Sequence, residues 1–259
     1  MKIAVITGAS SGLGSEFAKI IDKEKAEIEE IWLIARREDK LKELSLNLNK
    51  KTKVLSFDIT DSQKLAEYTQ ALSDCKAEVS LLINNAGFGK LGDFQNLSFK
   101  DNTGMVRLNC EALTAFTSVT LPFMKENSEI INSCSIASFA PNARMAVYSS
   151  TKAYVMSFSR ALRKELKNRK INVLAACPGP MSTEFLSVAG IEKGTSRTFD
   201  TLPRVNPTVM AKKSLKASAR KKAVYTNRLF YKFYRLLAKL LPHSFVMLLA
   251  KDELKSDVL

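Results

Sequence analysis

Short apolar runs alternate with longer amphipathic stretches through the first two-thirds of the chain. The runs have the length of strands and centre on consecutive Ile, Val, Leu or Ala residues, which is typical of strands buried in a parallel sheet. They lie at residues 2–7, 30–35, 53–56, 81–84, 129–133 and 172–177. Helical periodicity predicts helices at residues 14–24, 37–49, 62–72, 103–126 and 148–167. This alternation predicts the α/β class, as a single-domain doubly wound Rossmann fold with a mostly parallel central sheet and helices on both faces.

The pattern changes after residue 177. Pro178-Gly179-Pro180 predicts a turn, and residues 182–204 have the composition of a loop with at most one short helix. Residues 229–241 are apolar except for Lys or Arg at intervals of three or four, which predicts an amphipathic helix. Pro242 stops or kinks this helix before residues 244–250 resume the apolar pattern. We therefore predict a Rossmann-type body over residues 1–200 and a basic, amphipathic helical extension of the same domain over residues 201–259.

Charge is distributed unevenly along the chain. The 259 residues are 46% hydrophobic, enough to bury a full core, and the formal net charge is +14. No Asp or Glu occurs between Thr201 and Lys251. Three interpretations of residues 229–249 remain open: helices packed over the sheet edge or cleft, peripheral contact with an anionic membrane, or contact with a partner or second copy. A membrane-spanning helix is not expected because Lys232, Arg235 and Lys239 interrupt the apolar run. We expect no nucleic-acid partner, since no recognised binding module accompanies the charge.

Histidine and cysteine usage excludes several kinds of site. The only histidine is His243, near the far end of the chain, which argues against a Ser-His-Asp hydrolase. A histidine-rich metal site is excluded, and we expect no metal. The four cysteines form no Cys-x-x-Cys pair, which indicates reduced thiols. Because a predicted strand begins directly at Met1-Lys2, we expect a cytoplasmic protein. It would be peripheral at a membrane if residues 229–249 bind lipid. Lys251-Asp252-Glu253-Leu254 matches an endoplasmic-reticulum retrieval signal, but five residues follow it, and we interpret the match as coincidence.

A glycine-rich turn joins the first predicted strand to the first predicted helix. The sequence Thr7-Gly8-Ala9-Ser10-Ser11-Gly12-Leu13-Gly14 permits a tight turn and a close approach of backbone to a pyrophosphate, which the helix N-terminus stabilises. The order of strand, turn and helix favours dinucleotide binding over an ordinary turn of small residues. We expect cofactor contacts from Gly8, Ser10, Ser11, Gly12, Leu13 and Gly14.

Two arginines follow the second predicted strand. NAD-specific sites place an acidic residue about twenty positions past the glycines, whereas this chain has Arg36 and Arg37 there. A guanidinium group matches a 2′-phosphate, so we predict NADP(H) as the cofactor. The alternative is that both arginines are merely solvated at a helix start.

Tyr148 and Lys152 are four residues apart, and Ser135 lies thirteen residues before the tyrosine. On a helix this spacing puts the phenol and the ammonium on one face. A nearby cation favours the phenolate, which would lower the tyrosine pKa from about 10 and prepare it for proton transfer. Taken alone the spacing is weak evidence, since a half-buried ring next to a solvated lysine is commonplace.

Together these motifs resemble those of classical short-chain dehydrogenases/reductases of the NADP-preferring type. The resemblance covers about residues 1–185. The matching motifs are, in family order, the glycine-rich turn, Asp58 after the third strand, Asn84-Asn85-Ala86-Gly87, Asn109, Ser135, Tyr148 with Lys152, and Pro178-Gly179-Pro180 with Thr183.

The resemblance implies a role for each matching residue. Tyr148 would act as general acid in reduction and as base in oxidation, while Lys152 would lower its pKa and hold the nicotinamide ribose. Ser135 would bond the substrate oxygen, and Asn109 would position a proton-relay water. The further cofactor-binding residues that it implies are Asp58, Ile59, Asn85, Ala86, Gly87, Tyr148, Lys152, Pro178, Gly179 and Thr183.

The expected function is therefore NADP(H)-dependent reduction of a ketone to a secondary alcohol, or the reverse, within residues 1–200. The apolar C-terminal segment favours an apolar carbonyl substrate, such as a steroid or a long-chain acyl compound. The resemblance also implies a homo-oligomer, either a dimer or a tetramer. The alternative is a non-catalytic NADP-binding sensor or a membrane-associated interaction protein on the same fold, against which the presence of Ser135, Tyr148 and Lys152 argues.

Overall fold

Seven parallel strands form one central sheet in the computed structural model, which describes residues 1–192, 194 and 196–249. The strand order is β3-β2-β1-β4-β5-β6-β7, and every neighbouring pair is parallel. The strands are β1 (Lys2–Thr7), β2 (Glu30–Ala35), β3 (Lys51–Ser56), β4 (Glu78–Asn84), β5 (Glu129–Ser133), β6 (Asn172–Ala176) and β7 (Val224–Tyr225). The order reverses between β1 and β4, as in doubly wound folds, so the predicted fold class is confirmed.

Helices cover both faces of the sheet. They are α1 (Gly12–Glu24), α2 (Glu38–Leu46), α3 (Ser62–Asp74), α4 (Phe99–Val106), α5 (Leu113–Thr120), α6 (Ala146–Glu165), α7 (Glu184–Val188), α8 (Arg197–Thr201), α9 (Pro207–Ala219), α10 (Leu229–Leu240) and α11 (His243–Leu249). Along β1, Ala4 and Ile6 belong to the core layer that α1 and α9 cover, whereas Ile3 and Val5 belong to the layer under α3 and α5. Alternate side chains of a strand point to opposite faces, so a strand apolar throughout requires cover on both sides.

The sheet is completed by elements that follow residue 200. β7 pairs with β6 through two residue pairs, and α9 packs against α1. Two signals of a helix start precede α9: Asn206 caps the helix by accepting from the backbone N–H of Val209 at 3.0 Å, and Pro207 occupies the first turn. The segment after residue 200 is therefore structurally continuous with the Rossmann body.

α10 is attached to the body along one face only. Tyr231 and Ala238 are buried, and the Tyr231 hydroxyl donates to the carbonyl oxygen of Pro203 at 2.7 Å. Leu229, with 81% of its surface exposed, lies on the solvent side of the same helix. The predicted amphipathic helix is thus present, and it ends before Pro242.

Two predictions of local structure were inaccurate. The helix expected over residues 103–126 is divided by a π-helical segment, Arg107–Ala112, between α4 and α5. The loop expected over residues 182–204 contains two short helices, α7 and α8. Within the described residues no helix is long and apolar enough to cross a membrane. The retrieval-like sequence at residues 251–254 lies outside the described residues.

Candidate active site

One large cleft opens at the carboxyl ends of the strands, where the strand order reverses between β1 and β4. This is the position at which open α/β sheets bind ligands. Its volume is about 2110 Å³. Since small-ligand pockets typically have roughly 300–1,000 Å³, the cleft has room for a dinucleotide and a second molecule.

The turn between β1 and α1 brings backbone to the cleft. Gly8 and Gly12 have φ angles of 66° and 56°, in the left-handed region that favours glycine. A Cβ atom on Gly14 would lie 2.1 Å from the carbonyl oxygen of Gly8, so a side chain cannot be accommodated there. α1 begins at this turn, and a helix N-terminus attracts anions. The turn therefore has the form of a phosphate-binding site.

Asn85 ties this turn to the ends of the neighbouring strands. Its Nδ2 donates to the carbonyl oxygen of Gly8 at 3.1 Å, and its Oδ1 accepts from Ser133 Oγ at 3.1 Å. The backbone N–H groups of Asn85 and Ala86 both donate to Thr7 Oγ1, at 3.0 and 3.1 Å. These bonds hold Ala86 directly against the glycine turn, since a Cβ atom on Gly8 would lie 2.8 Å from Ala86 Cα.

The two arginines after β2 both line the cleft, but their surroundings differ. Arg37 donates through Nη2 to Ser10 Oγ at 3.2 Å and to Glu184 Oε2 at 2.7 Å. The hydrogen bond with Glu184 raises the pKa of Arg37 and lowers that of Glu184. Arg36 lies 3.8 Å from Asp58 Oδ2 and is largely exposed. Both guanidinium groups therefore lie in the cleft at the end of β2, and Arg37 is paired with Glu184.

The loop after β6 lies between the cleft and α10. Thr183 contacts the glycine turn, since a Cβ atom on Gly12 would lie 3.3 Å from Thr183 Cβ. Gly179 is covered from the other side by Tyr231, because a Cβ atom there would lie 2.3 Å from Tyr231 Cε2. The carbonyl oxygen of Pro178 accepts from the backbone N–H of Ile136 at 3.0 Å. The position of α10 is thus coupled sterically to the predicted cofactor loop.

Tyr148 and Lys152 lie one turn apart in α6, on the side that faces the cleft. Lys152 Nζ donates to the carbonyl oxygen of Ser133 at 2.9 Å and lies 5.8 Å from the centroid of the Tyr148 ring. Ser135 follows β5, and its Oγ accepts from the backbone N–H of Ala137 at 3.1 Å. The same hydroxyl is close enough to Tyr148 to lower the pKa of the phenol. The phenol, the ammonium and the hydroxyl that the sequence singled out therefore come together in one place.

Burial controls the titration of this group. Loss of solvent raises the pKa of Tyr148, and the hydrogen bond with Ser135 only partly opposes that effect. Burial also lowers the pKa of Lys152, because the ammonium ion loses hydration. In this structure the lysine is itself buried and donates to a backbone carbonyl, and desolvation has the largest effect on the pKa of both groups. That Lys152 lowers the tyrosine pKa stays a prediction.

Asn109 lies behind the cleft lining, in the π-helical segment. Its Oδ1 accepts from the backbone N–H of Phe88 at 3.1 Å, and its Nδ2 donates to the Phe88 carbonyl oxygen at 2.8 Å and to Thr151 Oγ1 at 3.0 Å. A Cβ atom on Gly87 would lie 2.8 Å from Asn109 Oδ1 and 3.4 Å from Lys152 Nζ. The asparagine is therefore next to the lysine, and it fixes the backbone that follows β4.

The other predicted site residues, Gly14 excepted, all line the cleft. They are Gly8, Ser10, Ser11, Gly12, Leu13, Arg36, Arg37, Asp58, Ile59, Asn85, Ala86, Gly87, Ser135, Tyr148, Lys152, Pro178, Gly179 and Thr183. Their roles in binding and catalysis remain predictions.

Sequence reasoning missed the apolar residues around the tyrosine. The Phe185 ring centroid is 5.6 Å from that of Tyr148, and Phe88, Met145 and Phe199 belong to the same apolar cluster. These residues come from separate loops and helices, so no spacing in the sequence links them. Only the apolar character of the α7 segment could have suggested that it faces the site.

The sheet topology, the glycine turn and the Tyr–Lys pair in one cleft define a nucleotide-binding oxidoreductase with a Rossmann fold. The family model described as short chain dehydrogenase matches residues 2–193. The chain belongs to the short-chain dehydrogenase family.

The chain aligns with curated relatives over most of its own length and most of theirs. A serine 3-dehydrogenase of Agrobacterium fabrum is 32% identical over 210 residues, which are 78% of this chain and 81% of the relative. An NADP-dependent 3-hydroxy acid dehydrogenase of Schizosaccharomyces pombe is 34% identical over 192 residues, covering 71% and 73%. An uncharacterized oxidoreductase of Staphylococcus epidermidis is 31% identical over 184 residues, covering 70% and 79%.

Solved structures show the same architecture. A short-chain dehydrogenase from Sphingobium yanoikuyae in complex with NADPH superposes with a TM-score of 0.76 at 26% identity, covering 93% of this chain and 97% of that one. The closed form of a serine dehydrogenase complexed with NADP+ gives a TM-score of 0.76 at 25% identity, covering 88% and 94%.

Proposed function

We propose that the protein is an NADP(H)-dependent oxidoreductase that interconverts an apolar ketone and its secondary alcohol, with Tyr148 as the proton donor and acceptor. The observation that carries the proposal is the convergence of Tyr148, Lys152 and Ser135 on a cleft that also contains a glycine turn and two arginines. Short-chain dehydrogenases that bind NADPH or NADP+ are among the similar structures, which supports the choice of cofactor.

The residues of the cleft fit an NADP molecule. The glycine turn and the N-terminus of α1 would hold the pyrophosphate, and Arg36 and Arg37 would pair with the 2′-phosphate. The Lys152 ammonium would bond the nicotinamide ribose. When bound, the cofactor supplies the hydride, and the protein supplies orientation and a proton.

The chain's own residues account for the proton and for the developing charge. A ketone oxygen between Ser135 and Tyr148 accepts hydrogen bonds from both hydroxyls, which become stronger as negative charge develops on that oxygen. Tyr148 then transfers its proton to the oxygen. The raised pKa of Tyr148 keeps the phenol protonated, which suits the direction of reduction.

An apolar substrate fits the surroundings of the tyrosine. Phe185, Met145 and Phe199 enclose Tyr148, and Phe230 and Tyr234 of α10 line the same cleft. A polar substrate would lose its hydration against these side chains without compensating hydrogen bonds. One relative is named as a dehydrogenase of a 3-hydroxy acid, which supports a reaction between C–OH and C=O but not the apolar character of the substrate.

The test is NADPH and NADH consumption by the purified protein against carbonyl compounds from small polar ketones to steroids and 3-oxoacyl thioesters. We expect selective NADPH-dependent turnover of an apolar compound. Tyr148→Phe should lower kcat by at least about 100-fold, the lower limit typical of lost acid–base catalysis, with NADPH affinity nearly unchanged.

Tyr154→Phe is the matched control, because Tyr154 lies in the same helix and its hydroxyl bonds Thr114 at 2.7 Å on the protein surface. This control should retain wild-type kcat. A Tyr148→Phe variant with most of the wild-type kcat would refute the assignment of the acid. Tight NADPH binding without turnover of any compound would favour the non-catalytic alternative.

Members of the family are commonly oligomeric, and we expect a dimer or a tetramer here. Light scattering on the purified protein measures the mass directly, and a monomer of 28.8 kDa would contradict this expectation.

A further inference from the structure

α10 has three distinct faces. Its buried face, with Tyr231 and Ala238, packs on the body. A second stripe is apolar and exposed, and its residues follow one another at spacings of four, three and four positions. It consists of Leu229, Phe233, Leu236 and Leu240, with exposed fractions of 81%, 60%, 51% and 69%. Residues at this spacing lie along one side of a helix. The stripe is therefore a continuous apolar surface that none of the residues described by the structure covers.

A basic stripe runs directly beside the apolar one. Arg228, Lys232, Arg235 and Lys239 precede the four apolar residues by one position each, so they repeat the same spacing, and all four are exposed. No acidic residue occurs between Thr201 and Lys251 that could neutralise them from within the segment. After Pro242, α11 continues the exposed apolar surface with Phe245, Met247 and Leu248.

We propose that the α10–α11 surface docks onto a lipid bilayer that carries anionic headgroups. The charge pattern identifies the occupant: a second copy of this chain would bring the same basic stripe to the contact, whereas an anionic bilayer supplies both an apolar layer and negative charge. The helix is too short and too charged to cross the bilayer, so it lies in the interface.

The docked surface adjoins the cleft. Phe230 and Phe233 are half-exposed or more and also line the cavity that contains Tyr148. Docking would therefore place the mouth of the cleft at the lipid surface. The docking proposal stands independently of the proposed activity, because its evidence is the exposed surface alone.

The experiment is co-sedimentation of the full chain with vesicles of phosphatidylcholine alone or mixed with phosphatidylglycerol. Wild-type protein should pellet with the mixed vesicles at low salt, be released at high salt, and remain in solution with phosphatidylcholine alone. Lys232→Glu/Arg235→Glu should weaken binding by roughly 25-fold or more, since each basic residue near an anionic surface contributes about fivefold.

Two further variants separate charge from apolar contact and from general effects. Leu236→Ser/Leu240→Ser removes two exposed leucines that do not line the cleft, and it should also reduce binding at least tenfold, since about 0.8 kcal/mol is lost for each buried CH₂. Lys164→Glu/Lys167→Glu is the control for charge, because it changes the net charge by the same amount as Lys232→Glu/Arg235→Glu. Both lysines lie near the C-terminal end of α6, at the amino edge of the sheet, so this variant should bind vesicles like wild type. Circular dichroism and NADPH affinity confirm that each variant is folded.

Wild-type protein that stays in solution with the mixed vesicles overturns the proposal. Unchanged binding of either α10 variant also does so, because the bilayer contact would then lie elsewhere. A reduced oligomer mass for Leu236→Ser/Leu240→Ser in light scattering, with unchanged vesicle binding, would assign the stripe to a contact between copies instead.

Discussion

The contact between Gly179 and Tyr231 yields a quantitative prediction about how α10 is attached. In Gly179→Ala the new Cβ atom would lie 2.3–2.7 Å from three atoms of the Tyr231 ring and hydroxyl. The ring cannot easily withdraw, because it is fully buried and its hydroxyl bonds the carbonyl oxygen of Pro203. Overpacking of this kind costs about 1–3 kcal/mol, and the short distances favour the upper value. We expect the free energy of unfolding to fall by about 3 kcal/mol.

A double-mutant cycle isolates the clash. Tyr231→Ala alone should cost about 3–5 kcal/mol, the typical loss for a buried aromatic ring. In that background Gly179→Ala should change stability by less than about 0.5 kcal/mol, because all three nearest atoms belong to Tyr231. The coupling energy is therefore about 3 kcal/mol. Urea unfolding followed by circular dichroism and by fluorescence of Trp32, the single tryptophan, measures all four proteins. Equal costs of Gly179→Ala in both backgrounds would refute the described packing of α10.

Three other perturbations test the site. Asn109→Leu should lower the free energy of unfolding by about 2–4 kcal/mol, because it leaves both backbone groups of Phe88 without their buried partner; a loss below 1 kcal/mol in urea unfolding would contradict the network. Glu184→Gln should tighten NADPH binding up to about fivefold and leave NADH binding unchanged, since it weakens the exposed ion pair that occupies Arg37. Calorimetry with both cofactors checks this, and weaker NADPH binding would show that the pair orients the arginine. Because burial raises the pKa of Tyr148, ketone reduction should stay level to about pH 9, and a loss of kcat/KM with a midpoint near pH 7 would show that another group controls the proton.

Most of the first six strands were predictable because burial on both faces leaves a continuous apolar run that little else in a sequence imitates. β3 is the exception, because none of its residues is buried and the prediction began two residues late. β7 was not predictable, since two residues are too few to show any period, and its pairing with β6 is decided by tertiary structure. α9 was missed for a different reason. Lysines are frequent in this segment, and the signals of a helix start are confined to Asn206 and Pro207.

The candidate site was predictable as a set of residues but not as an electrostatic environment. The spacing of Tyr148 and Lys152 shows that they share a helix face, which the structure reproduces. Spacing contains no information on burial, and burial determines the pKa directions of both groups. The apolar wall around Tyr148 was equally invisible, because Phe185 and Phe199 reach it from α7 and α8, which share no helical spacing with α6.

The position of α9 and β7 late in the chain has a consequence for synthesis. A nascent chain that has emerged only to residue 200 lacks β7, so the outer edge of β6 has no strand beside it. It also lacks Met210, Ala211 and Leu215, which close the core layer against α1. The body therefore cannot complete its core until about residue 225 has left the ribosome, and until then its open strand edge and apolar face would require protection from aggregation.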